Sequence, residues 1–286
     1  MTTHFCVTCY GLSASRWTSF VLASNPRVFV AHGTYRLDSI VKGSFDAERP
    51  IGKKTANFDA LERGREAFSW VKSASLKALY ARYREIAPDA EAYGNVHTFV
   101  PAELYTKSDF DEMSLTVVNL IRNPIGFVDC HNTVVSHAQQ IEELGQHYAT
   151  MYADRVLPRL EALDVLDLER YVTAPDRAFL LSCFSVIDQA EDLKRYPIPL
   201  FCMETLTSDA GYLADFCRKV SGFAYNEATL ERFIAQGAIN NHRSPQALRE
   251  PNAIRAAWPP HHRAAFDVLV AQSYGRVFAS AGYPLD

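Results

Sequence analysis

Short apolar runs alternate with longer segments of helical periodicity along most of the chain. The runs HFCVTC, RVFVAHG, NVHTFV, SLTVVNLI and IPLFCMET have the length and the β-branched or aromatic content of strands. They predict strands at about 5–10, 27–33, 95–100, 114–121 and 198–205. The fourth run is the most continuous, which favours a central strand that is covered on both faces.

Helices are predicted between these strands. One follows the first strand and runs through Ser24, because Asn25-Pro26 disfavours further helix. A second spans 59–86, where apolar residues recur on one face, and a third spans 125–148. The segment 39–57 is polar and is interpreted as a loop or lid. Strands that alternate with helices are typical of an α/β fold with three layers and a mostly parallel central sheet.

Composition sets limits on the class of protein. The chain has 286 residues, of which 48% are hydrophobic and 22% charged, and its net charge is −4. These values are ordinary for a soluble globular protein and argue against a chain-wide nucleic-acid surface. The sequence contains no apolar run of 18 residues and no secretion signal, so we expect a cytoplasmic protein without a transmembrane segment.

The six cysteines are expected to be reduced thiols, and no metal site is predicted. Cys6 and Cys9 lie three positions apart on a strand and should therefore face opposite sides of the sheet. No second Cys/His pair completes a zinc set with them. His131 and His137 are six residues apart, which is not the spacing of a zinc-binding helix, and the pair at 261–262 is expected on the surface.

The segment YGLSASRWTS at 10–19 joins the first strand to the first helix. It lacks the G-x-x-x-x-G-K-[ST] pattern of a nucleoside-triphosphate loop. An anion can still be held there by backbone N–H groups and the helix N-terminus, with Gly11 in the turn and Arg16 as the cation. Ser13, Ser15 and Thr18 would add hydroxyl donors. The alternative is that Ser13 or Ser15 only caps the helix.

A second candidate position follows the fourth strand. Arg122 stands at its carboxyl end, where open α/β sheets bind ligands, and its planar guanidinium suits a phosphate. Cys130 follows eight residues later, in the next helix, and could border the same crevice. The alternative is an arginine that pairs with a nearby carboxylate.

These segments, in this order, resemble the sulfotransferases that use 3′-phosphoadenosine 5′-phosphosulfate (PAPS). The loop GLSASRWT at 11–18 stands for the family's G-x-x-[KR]-[SG]-G-[TS]-[TS], and SNPRVFV at 24–30 for its second strand. Arg122-Asn123-Pro124 and Cys130 stand for the arginine and serine that bind the 3′-phosphate. METL at 203–206 corresponds to a later strand end of the family, and AINNHRS at 238–244 corresponds to the loop that closes over the nucleotide. Trp258 and residues 281–283 correspond to the closing helix.

The resemblance implies one sulfotransferase-like domain over 1–286, with a P-loop-like architecture and helical insertions near 40–110 and 150–195. It implies that His32 is the catalytic base, with Asp38 and His97 as reserve bases; the alternative is a loop histidine that hydrogen-bonds the backbone before Gly33. Arg16 stands at the family's usual glycine and is expected to supply the catalytic cation that the loop otherwise lacks. Ala14 departs from the family pattern, because a lysine or arginine usually stands there. The residues expected to bind PAPS, or its product adenosine 3′,5′-bisphosphate, are Gly11, Ser13, Ala14, Ser15, Arg16, Trp17, Thr18, Arg122, Cys130 and Arg243.

The expected activity is transfer of a sulfuryl group from PAPS to a hydroxyl of a small molecule, glycan or lipid. One alternative is a protein with the same fold that binds a nucleotide or another anion without turnover. A small-molecule kinase ranks last, because the loop lacks the lysine and the magnesium-binding hydroxyl. No motif indicates a nucleic-acid partner, and the sequence does not decide between a monomer and a homodimer.

Overall fold

The structure is a computed structural model that describes residues 2–32, 72–140, 142–236 and 250–285. The chain forms two compact units. The first consists of Met1–Ile121 and Ile198–Asn241, and the second of Arg122–Pro197 and His242–Asp286. The first unit contains the whole described sheet, and the second is helical.

The sheet of the first unit has five strands, all parallel, in the order β2-β3-β1-β4-β5. This arrangement confirms the predicted parallel α/β fold. The strands are β1 (Thr3–Thr8), β2 (Val28–His32), β3 (Ala92–Val96), β4 (Leu115–Ile121) and β5 (Leu200–Cys202).

The α-helices are numbered along the chain. They are α1 (Ser15–Ala23), α2 (Leu76–Ile86), α3 (Pro101–Tyr105), α4 (Pro124–Ala138), α5 (Glu142–Met151), α6 (Leu157–Leu163), α7 (Ala174–Arg195), α8 (Met203–Leu206), α9 (Ala210–Ser221), α10 (Glu227–Gln236), α11 (Pro251–Ala257), α12 (Pro260–Phe266) and α13 (Gln272–Ser280). A π-helical turn joins α5 to α6, and another joins α12 to α13.

Helices cover both faces of the sheet. Successive side chains of a strand point to opposite sides, and the strands carry apolar residues on both. Phe5, Val7 and Cys9 pack in one apolar cluster with residues of α1, α9 and α10. Cys6 packs in a second cluster with residues of α2 and the segment after β3. The two thiols are therefore buried on opposite faces, as the sequence spacing predicts.

Three strands differ from the predicted ranges. β1 ends at Thr8 rather than near 10, since the loop begins earlier. β3 ends at Val96, because His97 adopts a φ of 60° that a strand cannot continue. β5 ends at Cys202, and METL at 203–206 is a helical turn instead of a strand end.

Two helices also differ. Within the described residues, the helix predicted over 59–86 is interrupted at positions 74 and 75, and α2 begins at Leu76, where Ser75 accepts a hydrogen bond from Ala78 N. The positions 59–71 and the expected loop at 39–57 lie outside the described residues. The helix predicted over 125–148 is divided into α4 and α5 after Ala138.

The second unit is built on α4 and α7, which pack against each other. α7 is the longest described helix, with 22 residues, and Thr173 and Asp176 form a capping box at its start. Trp258 is buried and donates from Nε1 to Asp129 Oδ1 in α4 at 3.2 Å. Among the described residues, no helix combines the length and the apolar composition needed to cross a membrane.

Candidate functional site

The strand order marks the carboxyl end of β1 as the candidate site. β1 lies between β3 and β4. From β1 the chain continues to β2 at one edge of the sheet, and from β4 it continues to β5 at the opposite edge. In open parallel sheets, ligands bind outside the carboxyl ends of strands where the connections diverge in this way. The loop between β1 and α1 lies at that point.

The backbone of this loop is strained. Gly11, Leu12 and Ala14 have φ values of 86°, 51° and 55°. The left-handed region is uncommon for leucine and alanine, and such outliers cluster at functional sites. A tight turn with left-handed residues can direct successive N–H groups toward one side, which is the usual construction of a backbone anion site.

The N-terminus of α1 follows the loop directly. Its N-cap residue is Ala14, which has no side-chain cap, and the first turn contains no acidic residue. The first intrahelical backbone bond runs from Thr18 N to Ala14 O at 2.8 Å. Because the earlier N–H groups of a helix have no intrahelical acceptor, this end favours an anion. The alternative in which Ser13 or Ser15 caps α1 does not occur.

Most side chains of the loop stabilise the loop itself. Ser13 and Thr18 are buried, and their hydroxyls donate to Gly11 O and Ala14 O, both at 3.0 Å. Trp17 is buried in the core and donates from Nε1 to Phe233 O at 3.2 Å. Ala14 belongs to the same apolar cluster. The side chains of these four residues are therefore engaged within the loop and the core.

His32 lies at the end of β2 and is buried. Its Nε2 is 3.1 Å from Ser15 Oγ, so the histidine contacts the first residue of α1. Burial lowers the pKa of His32 well below its ordinary value, and the nearby His97 and Arg16 add to this effect. The imidazole is therefore neutral at physiological pH, the form in which it can accept a proton.

His97 follows β3 and lies against the loop. A Cβ added at Gly11 would be 3.3 Å from His97 Cε1, so the ring would have to shift to accommodate any other residue there. The ring centroids of His97 and His32 are 5.6 Å apart. His97 is half-buried, whereas His32 is buried. Two histidines thus border the loop, and His97 is the more accessible.

Cys9 holds the His97 ring in place. Nδ1 of His97 is 3.3 Å from Cys9 Sγ and 3.4 Å from Cys9 O. Burial alone would lower the pKa of His97, but the contact with Cys9 outweighs burial and the pKa is raised. A proton on Nδ1 can be donated to Cys9 O, which leaves the lone pair on Nε2 to accept a proton.

Sequence reasoning did not predict this contact between Cys9 and His97. The two residues are separated by 88 positions and lie within the strands predicted at 5–10 and 95–100, whereas in the structure Cys9 follows β1 and His97 follows β3. The carboxyl ends of parallel strands meet at one edge of a sheet, so a correct end for the third strand would have indicated this contact.

Arg122 and Cys130 belong to the second unit; Arg122 lies two residues before α4, and Cys130 lies within α4. Asn123 caps α4 by accepting from Ile125 N and Gly126 N at 3.0 and 3.3 Å. A Cβ at Gly126 would lie 3.5 Å from Arg122 Nε, so the guanidinium runs along this helix turn. Cys130 is half-buried. Arg243 and the reserve base Asp38 lie outside the described residues.

No protein-family model matches the sequence, and no curated protein does. Among solved structures, the chain is similar to a sulfotransferase domain from the Synechococcus PCC 7002 olefin synthase. The sequence identity is 12% and the TM-score 0.46, with 100% of this chain and 95% of that chain covered. A likeness at this level carries no activity over to this chain.

Proposed function

We propose that this chain is a sulfotransferase that moves a sulfuryl group from PAPS to a hydroxyl of a small molecule, glycan or lipid. The observation that carries the proposal is the loop after β1. It combines left-handed residues, an uncapped helix N-terminus and two histidines at one edge of the sheet. The order of the sequence motifs supports the same activity.

The loop suits the 5′-phosphosulfate of such a donor. Backbone N–H groups and the positive end of α1 attract its negative oxygens without a lysine. Arg16, in the first turn of α1, is half-buried and supplies a fixed positive charge close to His32. In this proposal Arg16 stabilises the charge that develops on the leaving phosphate.

The reaction needs one proton transfer. The acceptor oxygen forms a bond to sulfur while the bond from sulfur to the bridging oxygen of PAPS breaks, and adenosine 3′,5′-bisphosphate leaves. By analogy with phosphoryl transfer, the protein acts mainly by positioning and charge stabilisation. A histidine takes the proton of the acceptor hydroxyl.

Contacts favour His97 over His32 as that base. His32 is buried, and its Nε2 is engaged by Ser15 Oγ. His97 is half-buried, and its Nδ1 is held by Cys9. His97→Ala should lower turnover and leave affinity for the bisphosphate near the wild-type value. If His32→Ala alone gives this result, His32 is the base, as the resemblance to the sulfotransferases implies.

A second candidate function has one observation in its favour. Ala14 stands where the resembled family has a lysine or arginine, and its side chain packs in the core rather than in the loop's opening. The chain could then bind the nucleotide or another anion without turnover. PAPS hydrolysis and transfer to a panel of hydroxyl acceptors separate the two functions.

The first test is calorimetric titration of the protein with adenosine 3′,5′-bisphosphate, with ATP as the comparison. Binding of the bisphosphate alone supports the site, and turnover of PAPS then supports the enzyme. Arg16→Ala should weaken bisphosphate binding at least tenfold. Arg218→Ala is the control, because Arg218 is exposed and ion-paired with Asp215 on α9. If neither nucleotide binds, the proposal is overturned.

A further inference from the structure

Three potential metal ligands meet in the second unit, between the first turns of α7 and α12. His261 Nε2 and His262 Nε2 each lie 2.9 Å from the same oxygen, Oδ1 of Asp176. The three ligand atoms all lie within 4.8 Å of one another. Adjacent histidines on a helix point in different directions, so convergence of both rings on one carboxylate oxygen is a specific arrangement.

Neighbouring groups hold each ligand in position. Asp176 Oδ2 accepts from Thr173 N at 3.2 Å and from the Thr173 hydroxyl, which leaves Oδ1 directed at the imidazoles. The His262 ring stacks on Phe179, with centroids 4.1 Å apart and 11° between the planes. Tyr171 donates its hydroxyl to His261 O at 2.8 Å. Hydrogen bonds such as those from Thr173 to the carboxylate are typical of the groups that orient metal ligands.

The cluster is shielded on one side and open on the other. Asp176 and His262 are 8% and 5% exposed, whereas the His261 side chain is 33% exposed. The expectation that both histidines lie on the surface is therefore wrong for His262, because its ring is packed against α7. An ion could enter from the side of His261.

We propose that Asp176, His261 and His262 form a binding site for a divalent metal ion of the zinc class. Two imidazole nitrogens and one carboxylate oxygen are a ligand set that such ions accept, with water in the fourth position. Ligand atoms in a tetrahedral zinc site lie roughly 3.4 Å apart, so the two contacts of 2.9 Å need to open by about 0.5 Å. The ion replaces the two N–H donors and joins α12 to α7.

This site is separate from the proposed function, because none of its three ligands is among the residues proposed to bind PAPS or to transfer the sulfuryl group. Its role is to fix the C-terminal helices on α7. The alternative is a purely hydrogen-bonded contact, in which two neutral imidazoles donate to one carboxylate oxygen. The two arrangements differ in whether the ligand set binds an added ion.

Titration of the full chain with Zn²⁺ after chelator treatment tests the site. We expect one equivalent to bind, with affinity reduced at least tenfold by His261→Ala. That variant should fold, because the side chain is partly exposed, and His262→Gln serves as a second, size-conserving variant. His147→Ala is the control, since His147 is exposed on α5. Absence of stoichiometric binding, or equal affinity of wild type and His261→Ala, overturns the proposal.

Two further readouts distinguish this site from the thiols. Co²⁺ bound by nitrogen and oxygen should give visible d–d absorption without the intense near-ultraviolet band of thiolate ligation. That band would place the metal on cysteine and overturn the proposal. Zn²⁺ should also raise the melting temperature of wild type and of His147→Ala, but not that of His261→Ala. An equal rise in all three contradicts the assignment.

Discussion

Replacing Gly11 by alanine should destabilise the loop that carries the proposed function. Gly11 has a φ of 86°, a region that costs an L-amino acid about 1–2 kcal/mol. The new Cβ would lie 3.3 Å from His97 Cε1, so the ring must also shift by a few tenths of an ångström. We therefore expect a loss of about 2 kcal/mol in the free energy of unfolding, which lowers the melting temperature by roughly 4–8 °C.

Thermal and urea denaturation followed by circular dichroism measure this loss. Gly275→Ala is the matched control. Gly275 lies within α13, and a Cβ there would meet no atom within 4 Å, so alanine should stabilise the helix by about 0.5–1 kcal/mol. The same two variants are then titrated with adenosine 3′,5′-bisphosphate, and only Gly11→Ala should bind more weakly. A Gly11→Ala protein as stable as wild type would refute the left-handed loop and the close approach of His97.

Two more changes test the packing of each unit. Gly94→Ala would place a Cβ 2.1 Å from the Phe5 ring in the neighbouring strand, so we expect a loss of about 3 kcal/mol in urea denaturation. Phe5→Leu in the same chain should restore part of it, and a loss below about 1 kcal/mol would contradict this contact. In the second unit, burial lowers the pKa of His131 to about 4. Its folded pKa lies below the unfolded value near 6.5, so protonation favours the unfolded chain and roughly 2–3 kcal/mol of stability is lost between pH 6.5 and 4. His131→Gln should lose less over that range than wild type or His137→Gln, and identical pH profiles would refute the assignment.

The local pattern of apolar residues was sufficient to predict the central part of the fold. The run at 114–121 is continuous and apolar because β4 is covered on both faces, and its predicted range agrees with the structure within one residue. Asn25-Pro26 disfavours further helix after α1 for a reason of backbone geometry that holds in any context, and a glycine just after a helix acts in the same local way. Gly222 is the C-cap of α9, with a φ of 81°.

Strand ends were less predictable, because they depend on contacts that are distant in sequence. NVHTFV has the composition of a strand, yet β3 ends at Val96, since His97 turns back onto Cys9. IPLFCMET forms only a short strand, because Met203 begins a helical turn. In both segments a local tertiary arrangement overrides the β propensity of the residues.

The candidate site likewise contains residues that the sequence predicted and residues that only the structure revealed. Spacing in the sequence located the loop at 10–18, Arg16 and His32, because a turn between a strand and a helix is a local feature. Only the folded chain placed His97 beside Gly11, and only the folded chain brought Asp176 within 2.9 Å of His261 and His262. These partners are more than 80 residues apart in sequence. Sheet order and helix packing decide which distant side chains meet, and no local pattern encodes that information.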